Sequence, residues 1–168
     1  GVVPIENSLE GAVNATLAIM VGGDEALAKR YDAMLAPMGR RFYAGNLVAG
    51  HATKALNNYV SAAGLVAAGE AMLIGKRFGI DPKKLLEIIN ASTGRNNSTE
   101  NKFAQFILNH QFNSGFALGL MAKDLGLAME VADKMGVKAE LGHACLKLWK
   151  DAEGTLGGRE DHTGVVKH

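Results

Sequence analysis

Apolar and polar positions follow two different periods along this chain. Residues 16–23 (TLAIMVGG) form a short apolar run closed by a Gly-Gly turn, the pattern of a buried strand. Asp24 caps a helix predicted over 24–37, with Leu27, Ala28, Tyr31 and Leu35 on one face and Met38-Gly39 as its end. RRFYAG (40–45) alternates as a strand does. Strand, helix and strand together read as a βαβ remnant, the tail of an α/β domain.

From about residue 49 the period becomes helical. A long helix is predicted over 50–78, with Ala63, Ala67 and Ala71 recurring every fourth residue. Gly64 and Gly69 would each cost about 1 kcal/mol against Ala in an exposed helix, so their presence implies close helix packing, within the chain or between copies. Gly79 suits the C-terminal end of this helix, and Asp81-Pro82 opens a second over 81–91. After the polar loop STGRNNST, Asn97 with Glu100 resembles a capping box opening a helix over 98–110. Further helices are predicted over 117–134 and 138–153, and Asp161 is a plausible cap for a short tail helix. The fold class is therefore mainly α, a helical domain over 47–168 preceded by an α/β remnant over 1–46. There is no internal repeat and no low-complexity segment.

Composition narrows the function classes. The chain has 168 residues, 48% hydrophobic and 21% charged, which suits one globular domain or slightly more. A net charge of +1 with scattered Lys and Arg gives no footprint for nucleic acid. The apolar stretch 59–75 is short for a membrane span, contains Glu70 and is rich in Ala and Gly, so a buried helix is expected and no membrane partner. Cys145 is the one cysteine, which argues against a disulfide framework and for a reducing, cytoplasmic setting. The opening GVVPIENS lacks the basic start and apolar run of a signal peptide. His143 and His162 have no partner at metal-ligand spacing, so no metal site is expected. Trp149 shares a helical face with Leu146 and reads as core.

The candidate chemistry lies in GNLVAGHATKALNN (45–58). Lys54 and Asn58 are four residues apart and share one helix face, just behind a loop punctuated by Gly45 and Gly50. Backbone N–H groups, an amine and a carboxamide would converge there, a set suited to a small hydroxy-carboxylate. Lys54 lies about one turn inside the helix, where the dipole disfavours the ammonium and favours proton transfer. His51 sits beside the same helix start and could contact substrate, although a neutral loop histidine fits as well. Asn57 points about 100° away from Asn58 and suits packing better. Arg95, Asn96 and Asn97 sit on a loop that could rim a cleft or be a solvated turn. By residue type alone, the Lys54 segment reads first as an ordinary helix start with a surface lysine.

A resemblance tips the balance. The segment resembles the G-x-x-G-x-G-x-x-x-K-x-x-x-N motif of the β-hydroxyacid dehydrogenases, the relatives of 3-hydroxyisobutyrate dehydrogenase. Gly45, Gly50, Lys54 and Asn58 match, and Val48 stands where the family has its middle glycine. Similarity continues through NASTGRNNSTENK and FALGLMAKDLGLA and covers about residues 16–168. The resemblance implies a 6-phosphogluconate-dehydrogenase-like helical domain and an NAD- or NADP-dependent oxidoreductase acting on a short β-hydroxy acid, in a homo-oligomer. It implies Lys54 as the proton-transferring catalytic group. Asn58 and Gly50 then fall at the substrate, next to the His51 position named above, and Lys123, Phe116 and Asp124 at the cofactor. Phe116 and Lys123 are seven residues apart and would share a face if the helix ran through Phe116.

Two departures accompany it. No G-x-G-x-x-G follows a strand anywhere, so the nucleotide-binding half is largely absent from this chain. Where the family has P-V-S-G-G, this chain has Pro4-Ile5 followed by Glu6, Asn7 and Ser8, and residues 1–17 instead resemble a prephenate dehydratase motif, VVPIENSxEGxVNxTL. The threonine-arginine-phenylalanine motif of those dehydratases is missing. The expected function is thus the substrate and catalytic half of a dehydrogenase. The competing reading is a helical dimerisation module that binds no cofactor.

Overall fold

The computed structural model describes residues 2–4 and 18–168. Glu6, Asn7 and Ser8 lie outside them. Three strands form one sheet in the order β1 (Val2–Pro4), β2 (Ala18–Gly22), β3 (Arg40–Gly45). β1 runs antiparallel to β2, with Val3 opposite Met20, and β2 runs parallel to β3, with Met20 opposite Phe42. The crossover between β2 and β3 is helical, as the strand–helix–strand pattern predicts, but it is not one helix over 24–37. It breaks into α1 (Glu25–Arg30), α2 (Asp32–Leu35) and a 3-10 turn over Ala36–Met38. Asp24 caps α1 by accepting from the Leu27 N–H at 2.9 Å. No residue of α1 or α2 is buried, and Leu27 and Tyr31, expected on an apolar face, are 52% and 44% exposed. Without packing on a core face, nothing holds the second half of the crossover to α-helical geometry.

The rest is a helical body built on α3 (Ala49–Phe78), followed by α4 (Pro82–Asn90), α5 (Asn97–Asn101), α6 (Leu118–Lys134) and α7 (Glu140–Leu156). A 3-10 segment, His162–Lys167, closes the chain and is capped by Asp161 as the sequence suggests. The helix expected over 98–110 is corrected. α5 ends at Asn101, and Phe103–Ile107 is a π-helix. The capping box belongs to Asn96 and Thr99, one residue earlier than Asn97 and Glu100: Thr99 N–H reaches Asn96 Oδ1 at 3.1 Å and Asn96 N–H reaches Thr99 Oγ1 at 2.9 Å.

The core sits where α3 crosses α6 and α7. Ala62, Leu65 and Met72 of α3 meet Leu118, Met121 and Leu125 of α6 and Cys145 and Trp149 of α7. Trp149 is fully buried, as its spacing with Leu146 predicts. Burial pushes the Cys145 thiol pKa up, which makes it a packing group rather than a nucleophile. Gly64 and Gly69 explain themselves here: a Cβ on Gly64 would touch the Asn96 side chain at 3.5 Å, and one on Gly69 would stand 3.0 Å from Val166. Their close packing is within the chain. Among the described residues no helix is long and apolar enough to cross a membrane, and no cluster of His, Cys, Asp and Glu could hold a metal.

Candidate active site

The start of α3 is pinned to the sheet by two glycines. A Cβ on Gly50 would lie 3.0 Å from the Met20 carbonyl oxygen, and one on Gly22 would lie 2.9 Å from both the Asn46 carbonyl and the Gly50 nitrogen. The approach that Gly50 permits here is thus helix to strand. Val48, the N-cap residue, has φ +72°, a left-handed conformation that glycine adopts freely and a β-branched residue rarely does. Val48, which stands where the resembled motif has its middle glycine, thus takes a backbone conformation that glycine would adopt without strain.

From that anchored start, Lys54 and Asn58 fall one turn apart on the face of α3 that meets α6. Both reach the same atom. Asn58 Nδ2 donates to Asp124 Oδ2 at 2.7 Å, and Lys54 Nζ donates to it at 3.1 Å. The Asp124 side chain is 6% exposed and that of Lys54 24%, so the carboxylate is sealed and the amine opens to solvent. A buried carboxylate in this position must be paired, and its two donors fix their own geometry in return. Ala55 of α3 and Ala128 and Met129 of α6 pack beside it, with Tyr59 against them. Asn57 Nδ2 donates to Asn58 Oδ1 at 3.3 Å, which holds the Asn58 carboxamide in one orientation. An ammonium has three N–H groups; with one committed to Asp124, two remain for a ligand oxygen.

The other expected site residues divide. Asp124, grouped by the resemblance with the cofactor contacts, has Lys54 and Asn58 as its partners. Lys123 is exposed on α6 and makes no ion pair among the described residues. His51 is exposed in the first turn of α3. Phe116 lies outside α6, because Ala117 is the extended N-cap residue, so Phe116 and Lys123 are not two turns apart on one helix. Phe116 packs edge-on against His162, ring centroids 5.6 Å apart.

A second buried polar cluster was not anticipated as a unit. Ser114 Oγ lies 3.0 Å from both Asp161 carboxylate oxygens and 3.0 Å from His162 Nδ1, which is 3.2 Å from the Phe116 carbonyl. With the Ser114 hydroxyl donating to Asp161, Nδ1–H of the ring donates to Ser114 Oγ and to the Phe116 carbonyl. Burial, with the positive charge of Lys102 nearby, lowers the His162 pKa to about 4 against the opposing pull of Asp161. Burial pushes the Asp161 carboxyl up, but hydrogen bonds from the Thr163 hydroxyl and N–H and from Gly115 N–H hold it below its ordinary value. Leu118 N–H donates to the Glu160 carbonyl at 2.8 Å and Gly119 N–H to the Gly158 carbonyl at 3.0 Å. Residues 157–163 thus satisfy the first free N–H groups of α6, the helix that carries Asp124. The sequence signal was Asp161 as a cap; its link to Ser114, 47 residues away, has no sequence signature.

Comparison with known proteins identifies the family of the chain. Residues 48–168 match the family described as the NAD-binding domain of NADP-dependent 3-hydroxyisobutyrate dehydrogenase, and the chain belongs to that family. It is 33% identical over 165 residues to a 2-(hydroxymethyl)glutarate dehydrogenase of Eubacterium barkeri, covering 98% of this chain and 55% of the relative. It is 34% identical to an NAD-dependent L-serine dehydrogenase of Pseudomonas aeruginosa, over 88% of this chain and 52% of that protein. A 3-hydroxyisobutyrate dehydrogenase of Mycobacterium tuberculosis, solved with L-serine, superposes with a TM-score of 0.81 at 32% identity, covering 91% of this chain and 55% of that one. The chain spans about half the length of the curated relatives it matches.

Proposed function

We propose that this chain is the substrate and catalytic half of an NAD- or NADP-dependent oxidoreductase acting on a short β-hydroxy acid. The observation that carries the reading is the shared Asp124 oxygen, which holds Lys54 and Asn58 side by side at the mouth of the α3–α6 seam. Lys54 Nζ takes the hydroxyl proton of the substrate and returns it in the reverse direction. Asn58, oriented by Asn57 and Asp124, positions the hydroxyl or carboxylate. His51, exposed at the helix start, borders the same substrate. The boundary between the two parts falls at residues 46 and 47, between β3 and α3.

The residues present fit one end of the dinucleotide. Lys123 is an exposed cation next to Asp124 in sequence, available to the nicotinamide side; Asp124 itself serves the cofactor only through Lys54, and Phe116 only through the wall it builds with His162. They do not fit its pyrophosphate: the strand–turn–helix at Gly22-Gly23-Asp24 lacks the G-x-G-x-x-G spacing, and the Asp24 carboxylate already occupies the start of α1. When bound, the nicotinamide supplies the hydride acceptor. Titration of the purified chain with NADH and NADPH, followed by nicotinamide fluorescence, tests this. Saturable binding that is lost in Lys123→Ala supports a cleft assembled within this chain. No binding up to millimolar cofactor means that turnover requires a separate nucleotide-binding half.

A second reading rests on a different observation. Leu56, Val60, Ala67, Ala71, Ile74 and Phe78 form one stripe along α3, and all are exposed, Phe78 by 84%. The spacing is that of a helix seam without a partner. It supports a homo-oligomer, and a stable dimer that binds no cofactor would favour the dimerisation module. The lone, buried Cys145 suits a cytoplasmic protein.

A further inference from the structure

At the far end of α3 a cavity of about 450 Å³ opens between four elements, within the roughly 300–1,000 Å³ range of small-molecule sites. Its floor is apolar: Met72 of α3 and Phe103 and Ile107 of the π-helix line it, and all three are buried. Its rim is basic. Lys76, Lys83, Lys167 and His110 line the opening against one acid, Asp81, whose carboxylate already accepts from the Lys84 N–H at 2.9 Å. Lys167 is held by Glu160 at 2.8 Å and lies 4.0 Å from the Phe112 ring centre. Lys76 and Lys83 make no ion pair among the described residues. They are the cations left for a ligand.

The backbone around the cavity is unusual in two independent ways. The π-helix over Phe103–Ile107 is a geometry that concentrates at functional sites, and His110 and Phe112 have φ of +60° and +47°. An apolar floor beneath unpaired cations is complementary to one chemistry. We propose that this cavity binds a small amphipathic carboxylate, its hydrocarbon part on Met72, Phe103 and Ile107 and its carboxylate between Lys76 and Lys83. The site is separate from the redox centre: at 1.5 Å rise per residue, Met72 lies about 27 Å along α3 from Lys54.

Octanoate and octanol are the probes, titrated into the purified chain by calorimetry at low and high salt. Saturable octanoate binding is expected, at least tenfold weaker for octanol and weakened by salt. The Lys76→Met, Lys83→Met double variant, which keeps the apolar stems, should bind octanoate at least tenfold more weakly with an unchanged helical spectrum. Leu73→Glu, an exposed rim position, should repel octanoate in the same way. Equal binding of acid and alcohol, or octanoate binding that survives both variants, overturns the proposal. So does failure to bind, whether the chain is a monomer or a second copy covers the opening.

Discussion

At the scale of single residues, the site rests on one carboxylate oxygen. Lys54→Ala should lower the turnover of a protein that includes the nucleotide-binding half by at least about 10²-fold, measured as NADH formation, because proton transfer contributes roughly 10²–10⁴-fold. Asp124→Asn should keep the fold yet loosen both donors, with a loss in kcat larger than any rise in KM. Val48→Gly tests the strained N-cap: relief of the left-handed valine should raise stability by about 1 kcal/mol in urea unfolding, and unchanged stability would mean that the chain pays no strain there. Lys54 and Asn58 were legible in the sequence because a four-residue spacing has one geometric meaning on a helix. Asp124 was expected at the cofactor and not as their acceptor, since nothing in KD says which distant side chain it faces.

At the scale of elements, the tail segment 157–163 acts through the start of α6. His162 is neutral in the folded chain, with its pKa lowered from 6.5 to about 4. Above pH 6.5 the folded and unfolded forms are both neutral and the full stability is present. Between pH 6.5 and about 4 only the unfolded chain takes up the proton, so stability should fall with pH, by up to on the order of 3 kcal/mol. Thermal melts across that window should show the decline, and His162→Asn, whose carboxamide nitrogen replaces Nδ1–H, should flatten it. A His162→Asn curve as steep as that of the unaltered chain would remove the histidine from the account. Periodicity placed α3, α6 and β3 to within a residue or two. It missed the break after Asn101 because FAQFI is as apolar as a helix face; Phe103 and Ile107 are buried in one core cluster with Met72 and Val165, contacts that no local pattern announces. The crossover between β2 and β3 failed for the opposite reason: no residue of α1 or α2 is buried, and Leu27 and Tyr31 of its expected apolar face are exposed.

At the scale of the whole molecule, the chain joins a sheet remnant to a helical body through Gly22 and Gly50. Gly22→Ala would drive a Cβ into two backbone atoms at 2.9 Å, so it should cost on the order of 2 kcal/mol or more and shift the start of α3. Chemical-shift changes at Lys54 would report that shift. If the α3 stripe is an oligomer seam, Ile74→Asp should lower the sedimentation mass without lowering helix content. The fold class was readable because two periods of hydrophobicity divide the chain near residue 46; the way the last segment returns to the start of α6 was not, because it spans more than 40 residues. That return has a temporal consequence. During synthesis α6 leaves the ribosome with its first N–H groups bare, and it waits for about 40 further residues before Glu160 and Gly158 arrive to receive them. Asp124 can therefore draw Lys54 and Asn58 into register on the nascent chain, but the helix that carries it is finished only when the tail emerges.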